Sequence, residues 1–330
     1  MEHGLQDIAD ALGLSVSTVS RVINQKSTVK ESTRKRVMEY LDSCGYSPNF
    51  LARSLKTNRT KTIGVVVPDI TESLFGNVIK GINDELDRWG YTAVICDSDE
   101  SADKEKKHLR YLQDIRVDGC IVALVSPFQE TIRNFDGEKR PIVLIDNIFP
   151  CEGICDSVAI DNFRAGYEGT KFLIEKGHTK IGIITGSNDQ PTGSERLRGY
   201  LAAMQEYGLA AESGFVQVGD YKETSGYVAM QRFLEQSPEI TAVFATSSKM
   251  TFGAARLLRE RGLSYGDVAL LGFDIKDEMG MIVPGITSIV QSGREIGKQA
   301  ALVLMDHLEK QIQEKQNICA PFKIVERESV

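Results

Sequence analysis

Leu5-Gln6-Asp7-Ile8-Ala9-Asp10-Ala11-Leu12-Gly13-Leu14-Ser15-Val16-Ser17-Thr18-Val19-Ser20-Arg21-Val22-Ile23 decides how the first part of this chain is built. Leu5, Ile8, Ala9 and Leu12 recur at the i, i+3, i+4, i+7 spacing of one helical face, and Gly13 ends that helix. Ser15 is a good N-cap for a second helix, in which Val19, Val22 and Ile23 point inward and Ser17, Thr18, Ser20 and Arg21 point outward. A third amphipathic segment, carrying Val37, Tyr40, Leu41 and Cys44, supplies the missing wall of a three-helix core. Helix, tight turn and helix, closed by a third, form a helix-turn-helix unit whose second helix suits the major groove.

Two helices around a glycine are common in ordinary globular proteins, so the outward face carries the argument. Small hydroxyls beside one arginine, on a helix begun by a serine, suit phosphate contact at the helix N-terminus and base-edge contact just behind it. Charge agrees. Residues 1–61 hold 10 Lys and Arg against 6 Asp and Glu, net +4, while the remainder holds 29 against 40, net −11, for a whole-chain charge of −7. An acidic protein with a basic head has the polarity of a DNA-bound regulator.

Ile8-Ala9, Gly13, Ser15, Thr18 to Asn24, Gly45-Tyr46-Ser47-Pro48-Asn49 and Ala52-Arg53-Ser54-Leu55 together resemble the N-terminal signature of the lactose-repressor (LacI/GalR) family of bacterial transcription regulators. The resemblance continues in Ile63 to Asp69, Arg116 to Gly119, Lys176-Gly177-His178 and Gly272-Phe273-Asp274, and so covers essentially the whole chain. It implies that Val16 and Ser17 read bases, that Arg21 adds a further base contact, and that Ser15, Thr18, Ser20 and Asn24 mainly hold phosphates. A Val methyl resting on a thymine methyl fits that role; the alternative for Val16 is a solvent-exposed cap residue. Lys30 stands where the family often carries a capping Ser, so slightly weaker capping of the third helix is expected.

Pro48 suits a helix start, but only about seven residues follow before Lys56, too few for a stable helix alone in water. The resemblance makes this the hinge helix, which orders on operator DNA and pairs with its dimer mate. Leu55 would be the minor-groove wedge, Ala52 the close-approach residue and Arg53 a backbone or groove contact. The alternative is a flexible basic linker.

From about Lys61 the grammar changes. Apolar runs at Thr62 to Val67, Thr92 to Cys96, Cys120 to Val125 and Ile142 to Ile145 alternate with helical patterns. A second series follows at Ile181 to Thr185, Val216 to Val218, Val243 to Ala245 and Val268 to Leu271. The fold class expected is α/β: a three-helix head plus two doubly wound parallel-sheet lobes like those of periplasmic sugar-binding proteins. The domains expected are a head at 1–46, hinge helix and linker at 47–60, and an effector-binding and dimerisation domain at 61–330. Within it, lobe 1 takes 61–160 plus 291–330 and lobe 2 takes 161–290. Crossovers are expected near Ala159 to Phe163 and Ile286 to Gln291, with a last helix from Gly297 to Lys310 returning to lobe 1.

Such a pair binds ligand at strand C-terminal ends, between the lobes. By family position Arg196 clamps ligand oxygens and Asp274 accepts hydroxyl protons, while Phe75, in Glu72-Ser73-Leu74-Phe75, is an apolar wall. Asp146, Asp161 and Ser247 occupy further cleft loops; for the carboxylates the alternative is a cap or hinge hydrogen bond. Thr246-Ser247-Ser248-Lys249 replaces a common Asn-Asp, and Ile275 replaces a second Asp after Gly272-Phe273-Asp274. Fewer acids, with Arg196 and Lys249, predict an acidic sugar or sugar phosphate as effector; the alternative for Lys249 is a solvated helix-start lysine.

The partners expected are a pseudo-palindromic operator duplex, a carbohydrate-derived effector and a second copy of the chain; no appended leucine heptads point beyond a dimer. The six cysteines and four histidines show no metal-ligand spacing, and no nucleophile elbow, Walker loop or GxGxxG is present, so neither cofactor nor enzymatic activity is expected. A solute-binding protein of the same architecture would need a secretory signal, and the N-terminus has no such apolar stretch. Without a membrane span a cytoplasmic location is expected. The remaining rival is a catabolite-type regulator controlled by a protein partner.

Overall fold

The computed structural model describes residues 5–23, 29–44, 59–127, 133–135, 140–150, 155–276, 280–312 and 314–330. The chain divides into two compact units, Met1–Thr60 and Lys61–Val330.

In the first unit, α1 (Leu5–Leu12), α2 (Val16–Ile23) and α3 (Glu31–Cys44) enclose a core of Ile8, Ala9, Val19, Val22, Val37 and Leu41. Gly13 adopts φ +63° and ends α1, with the Leu14 amide donating to Ala9 and the Gly13 amide to Asp10, so the last carbonyls are satisfied. Arg36 on α3 donates to the Leu12 carbonyl at 2.7 Å, tying the third helix to the turn. Ser15 accepts from the Thr18 amide at 3.2 Å, the cap its sequence position called for.

Among the described residues the second unit holds two six-stranded sheets. In one the order is β11-β5-β4-β3-β1-β2, in the other β12-β10-β9-β8-β6-β7. The first uses β1 (Thr62–Val67), β2 (Thr92–Asp97), β3 (Gly119–Val122), β4 (Ile142–Ile145), β5 (Asp156–Ile160) and β11 (Asn317–Ala320). The second uses β6 (Ile181–Thr185), β7 (Val216–Val218), β8 (Ala242–Ala245), β9 (Ala269–Phe273), β10 (Ser288–Gln291) and β12 (Phe322–Val325). Every pairing is parallel except β10 with β12. Each sheet therefore winds both ways from its first strand, β1 or β6, and has its switch point between β1 and β3 or between β6 and β8.

Helices α4 (Ser73–Leu86) and α5 (Ala102–Asp114) belong to the first lobe, and α6 (Asn162–Glu175), α7 (Pro191–Glu206), α8 (Glu223–Gln236) and α9 (Ser248–Glu260) to the second. The long α10 (Gly293–Glu309) returns to lobe 1 and lies on α4. The chain then crosses once more. Residues 291–330 were expected wholly in lobe 1, but only α10 and β11 lie there: β10 ends at Gln291 inside the second sheet, and β12 pairs antiparallel with β10. Ser329 anchors this return, its hydroxyl donating to the Leu270 carbonyl at 2.6 Å and accepting from the Thr287 amide at 2.8 Å. Alternation in so short a tail gives no sign of which sheet edge it joins. The strands β5 and β11 likewise escape a sequence reading, being short and mixed in polarity.

Helix pairs meet backbone to backbone at glycines. A Cβ on Gly199 of α7 would stand 2.1 Å from the Phe163 carbonyl oxygen, and one on Gly166 of α6 would stand 2.1 Å from the Arg196 carbonyl oxygen. Gly81 with Gly297 and Gly226 with Gly253 do the same for α4 with α10 and α8 with α9. Gly199→Ala is expected to cost about 1–3 kcal/mol by overpacking. Gly76→Ala, on the same kind of helix but with nothing within 4 Å, is expected to stabilise by about 0.4–1 kcal/mol. Thermal melts of the two variants beside the parent check both signs.

Candidate functional site

In the head, the Ser15 hydroxyl lies 2.9 Å from that of Ser17 and 2.8 Å from that of Thr18, a short hydroxyl cluster at the α2 N-terminus. Ser17 and Arg21 are exposed, and Thr18 and Ser20 are half-buried. Val16 is not the outward cap residue its alternative reading made it: it is half-buried against the head core, with only part of its side chain open to a partner. Asn24, Ala52, Arg53 and Leu55 lie outside the described residues.

In the second unit, loops at the carboxyl ends of strands from both lobes meet around a cleft of about 420 Å³, its open mouth included. Four of its lining residues hold left-handed backbone although none is glycine: Glu100 (φ 54°) after β2, Asp146 (60°) after β4, Tyr221 (63°) after β7 and Asp274 (54°) after β9. Such conformations cost free energy and persist where the surroundings over-determine them, most often at functional sites.

Arg196 is the fixed point of this cleft. It is 5% exposed, its Nε donates to Asn162 Oδ1 at 2.9 Å, its Nη1 to the Thr246 carbonyl at 2.6 Å, and its guanidinium lies 3.8 Å from the Phe273 ring centroid. The glycine contact between α6 and α7 sets this geometry, because the Arg196 backbone itself abuts Gly166. Asp274 accepts from the Gln291 amide at 3.1 Å and from Gln291 Nε2 at 2.7 Å. Burial raises its carboxyl above the usual range despite those bonds.

The lobe 1 wall is acidic. Burial pushes Asp146 up to about 6, with Asp274 adding to the rise and Arg196 opposing it. Glu100 goes up to about 7 by burial and by Asp146, Glu72 and Asp69, against a hydrogen bond from Gln190. Burial also raises Glu72, which accepts from Ser248 at 2.7 Å. Phe75 and Ser247 line the same space, Ser247 also capping α9 through the Met250 amide at 3.3 Å.

Polar contacts join the lobes at the cleft. Asn147 Oδ1 accepts from the Thr192 amide and hydroxyl at 3.1 and 2.8 Å, and its Nδ2 donates to Gln190 Oε1 at 3.3 Å. Lys249 pairs with Asp69 and reaches Thr71 Oγ1 at 3.0 Å. Burial would raise Asp69, but the bonds from Lys249 and Thr71 outweigh it and hold its carboxyl low.

Of the expected cleft residues, Phe75, Asp146, Arg196, Ser247 and Asp274 come together and Asp161 does not. Asp161 is exposed and caps α6, accepting from the Arg164 amide at 2.8 Å; its neighbour Asn162 is the residue that orients Arg196. The cleft holds more acids than the residues after β8 and β9 alone suggest. Lys249 does not line the cleft: it stands at the start of α9 with its side chain 32% exposed and paired with Asp69, while Glu72 and Glu100 bring acids to the cleft from lobe 1. Ile275 turns into the core at 1% exposure. Glu100, Asn147, Gln190, Thr192 and Tyr221 are cleft residues that sequence reasoning missed; the one available signal was their place just after strands or at a helix start.

A helical head followed in sequence by a two-lobed chamber is the build of a ligand-responsive transcription regulator. Residues 60–328 match the family of periplasmic binding proteins and the sugar binding domain of the LacI family, and residues 4–49 match the bacterial regulatory proteins of the lacI family. The chain belongs to the LacI family of bacterial transcription regulators. It is 33% identical to the HTH-type transcriptional regulator RegA of Clostridium saccharobutylicum and 32% to catabolite control protein A of Priestia megaterium, each time over 100% of this chain and 99% of the relative. The transcriptional regulator CelR in its cellobiose complex matches with a TM-score of 0.76 at 29% identity, over 99% of this chain and 100% of that one. Among the described residues no helix is long and apolar enough to cross a membrane.

Asp146 and Glu100 bind protons more tightly folded than unfolded. Their contribution to stability is full below about pH 4 and is lost as pH rises through about 6 and 7. Asp146→Asn and Glu100→Gln, which remove the ionisation, are expected to raise Tm relative to the parent at pH 8 and to leave it nearly unchanged at pH 4. Melts across that range read the sign directly.

Proposed function

We propose that this regulator is a repressor of carbohydrate-utilisation genes that binds a pseudo-palindromic operator as a homodimer, and whose operator affinity is shifted by a small polyhydroxylated effector in the interlobe cleft. The observation that carries the reading is the cleft itself. Arg196 and Asp274 face it from one lobe and Glu72, Glu100 and Asp146 from the other, so a ligand that touches both walls fixes the angle between them. Hydroxyls suit such a site because each donates to a carboxylate and accepts from a guanidinium or amide. The similarity to a cellobiose-bound regulator supports a carbohydrate.

In the head, residues 1–46, we assign base contacts to Val16, Ser17 and Arg21 and phosphate contacts to Ser15, Thr18, Ser20 and Asn24. Ala52, Arg53 and Leu55, in the 47–60 hinge, are assigned to the minor groove. Exposed apolar side chains on the two edge strands, Ile95 on β2 and Val218 on β7, support burial against a second copy, since an uncovered apolar sheet edge invites association.

Fluorescence anisotropy on an operator selected from random duplexes tests this. Specific binding should weaken steeply with salt. Arg21→Ala should lower specific affinity about tenfold or more, the worth of roughly 1–3 kcal/mol for an arginine–guanine pair, and change non-specific binding far less. Absence of any preferred sequence contradicts the assignment. A thermal shift that needs an added protein, and no small molecule, supports the partner-controlled reading instead.

A further inference from the structure

We propose that the effector carries a protonated amino group, seated against Asp146 and Glu100 on the lobe 1 wall, with its hydroxyls turned to Arg196 and Asp274 on the lobe 2 wall. The inference rests on the reading of the cleft as the effector site and names the class of compound that site takes.

The charge inventory leads to it. Glu72, Glu100, Asp146 and Asp274 line the cleft, and among the described residues Arg196 is the one cationic side chain that lines it with them. The neighbouring cations do not redress the balance. Lys249 is committed to Asp69, and Lys276 acts on Asp274 from outside the lining. Arg196 is itself spent largely on structure, through Asn162, the Thr246 carbonyl and the Phe273 face. Among the described residues of the lining, four carboxyls share one guanidinium.

The deficit is local to lobe 1. Asp274 has two hydrogen bonds from Gln291, Glu72 has one from Ser248 and Glu100 has one from Gln190. Asp146 has no hydrogen-bond or ion-pair partner among the described residues, although it is held in a costly left-handed backbone. Half-buried and lining the cleft, its carboxylate is open to a donor that a ligand brings.

The chemistry of the missing group follows. An anion meets three acids on lobe 1 and is repelled. A neutral sugar satisfies hydrogen bonds but brings no charge to Asp146 and Glu100, which burial already holds up to about 6 and about 7. An ammonium supplies three donors and a full positive charge at once. Tyr221 and Phe75 add ring surface beside it; the Tyr221 phenol, bonded to the Thr192 hydroxyl at 3.1 Å, is pushed up to about 12 and stays neutral.

Isothermal titration of the full-length protein at pH 7 is the test. The probes are glucosamine, galactosamine and 6-amino-6-deoxyglucose, each beside its parent hexose; N-acetylglucosamine, which keeps the shape and loses the charge; and glucuronate. The expected result is that an aminated probe binds at least tenfold more tightly than its parent and than any uncharged or anionic probe. In Asp146→Asn, which preserves shape, the ratio of aminated-probe affinity to parent-hexose affinity should shrink to within about threefold; Glu100→Gln should shrink it in part. Equal or tighter binding of a neutral hexose overturns the amine and leaves the cleft as effector site. Preference for glucuronate overturns the charge argument. No binding by any probe overturns both this inference and the assignment of the cleft.

Discussion

A buried guanidinium organises this protein. Arg196 loses most of its water in the second lobe, and a charge so placed must be compensated by geometry rather than by solvent. Three features compensate it: the Asn162 carboxamide and Thr246 carbonyl take its protons, Phe273 takes its face, and Asp146 and Asp274 supply the countercharge. Each depends on something further out. Asn162 begins α6 only because Asp161 caps it, and α6 approaches α7 only because Gly166 and Gly199 carry no side chain. The effector cleft is thus positioned by helix packing well behind it.

The two sheets repeat one winding order, and the strained residues fall where that order predicts a ligand. Glu100, Asp146, Tyr221 and Asp274 follow β2, β4, β7 and β9, and all four are left-handed. Polar contacts cross between the lobes beside them. Asn147 to Gln190 and Thr192, Ser248 to Glu72, and Lys249 to Asp69 are short, polar and few. Contacts of this kind hold one interlobe angle without welding it, as a domain pair that must respond to a small molecule requires. Protonation enters the same balance, because burial holds Asp146 up to about 6 and Glu100 up to about 7.

Much of this was legible in the sequence, and the parts that were not have physical reasons. The three-helix head was readable because its core repeats at helical spacing and its turn needs Gly13. Most strands were readable because parallel strands buried on both faces are uninterrupted apolar runs. The last helix was placed four residues late, at Gly297 instead of Gly293, since its first residues, Gly293-Arg294-Glu295, are not apolar and Ser292 caps it. Arg196 and Asp274 were found through local motifs. Asn162 was missed in favour of Asp161 because adjacent residues at a helix start point in different directions, and only the backbone decides which one caps. Lys249 was misjudged because its partner, Asp69, is 180 residues away. Glu100 and the destination of residues 322–325 depend on which strands lie side by side, a property of the whole sheet and of no single segment.

The central claim is that a ligand held by Arg196 controls the grip on DNA. The most direct measurement is operator affinity by anisotropy, with and without whichever carbohydrate-class compound shifts the parent most, in the parent and in Arg196→Met, whose unbranched apolar side chain can still lie on Phe273. The account predicts that the compound changes the parent's operator affinity at least tenfold and that the variant keeps bare operator binding within a few-fold while losing that response. A response that survives in Arg196→Met, or a parent that no such compound affects, contradicts it.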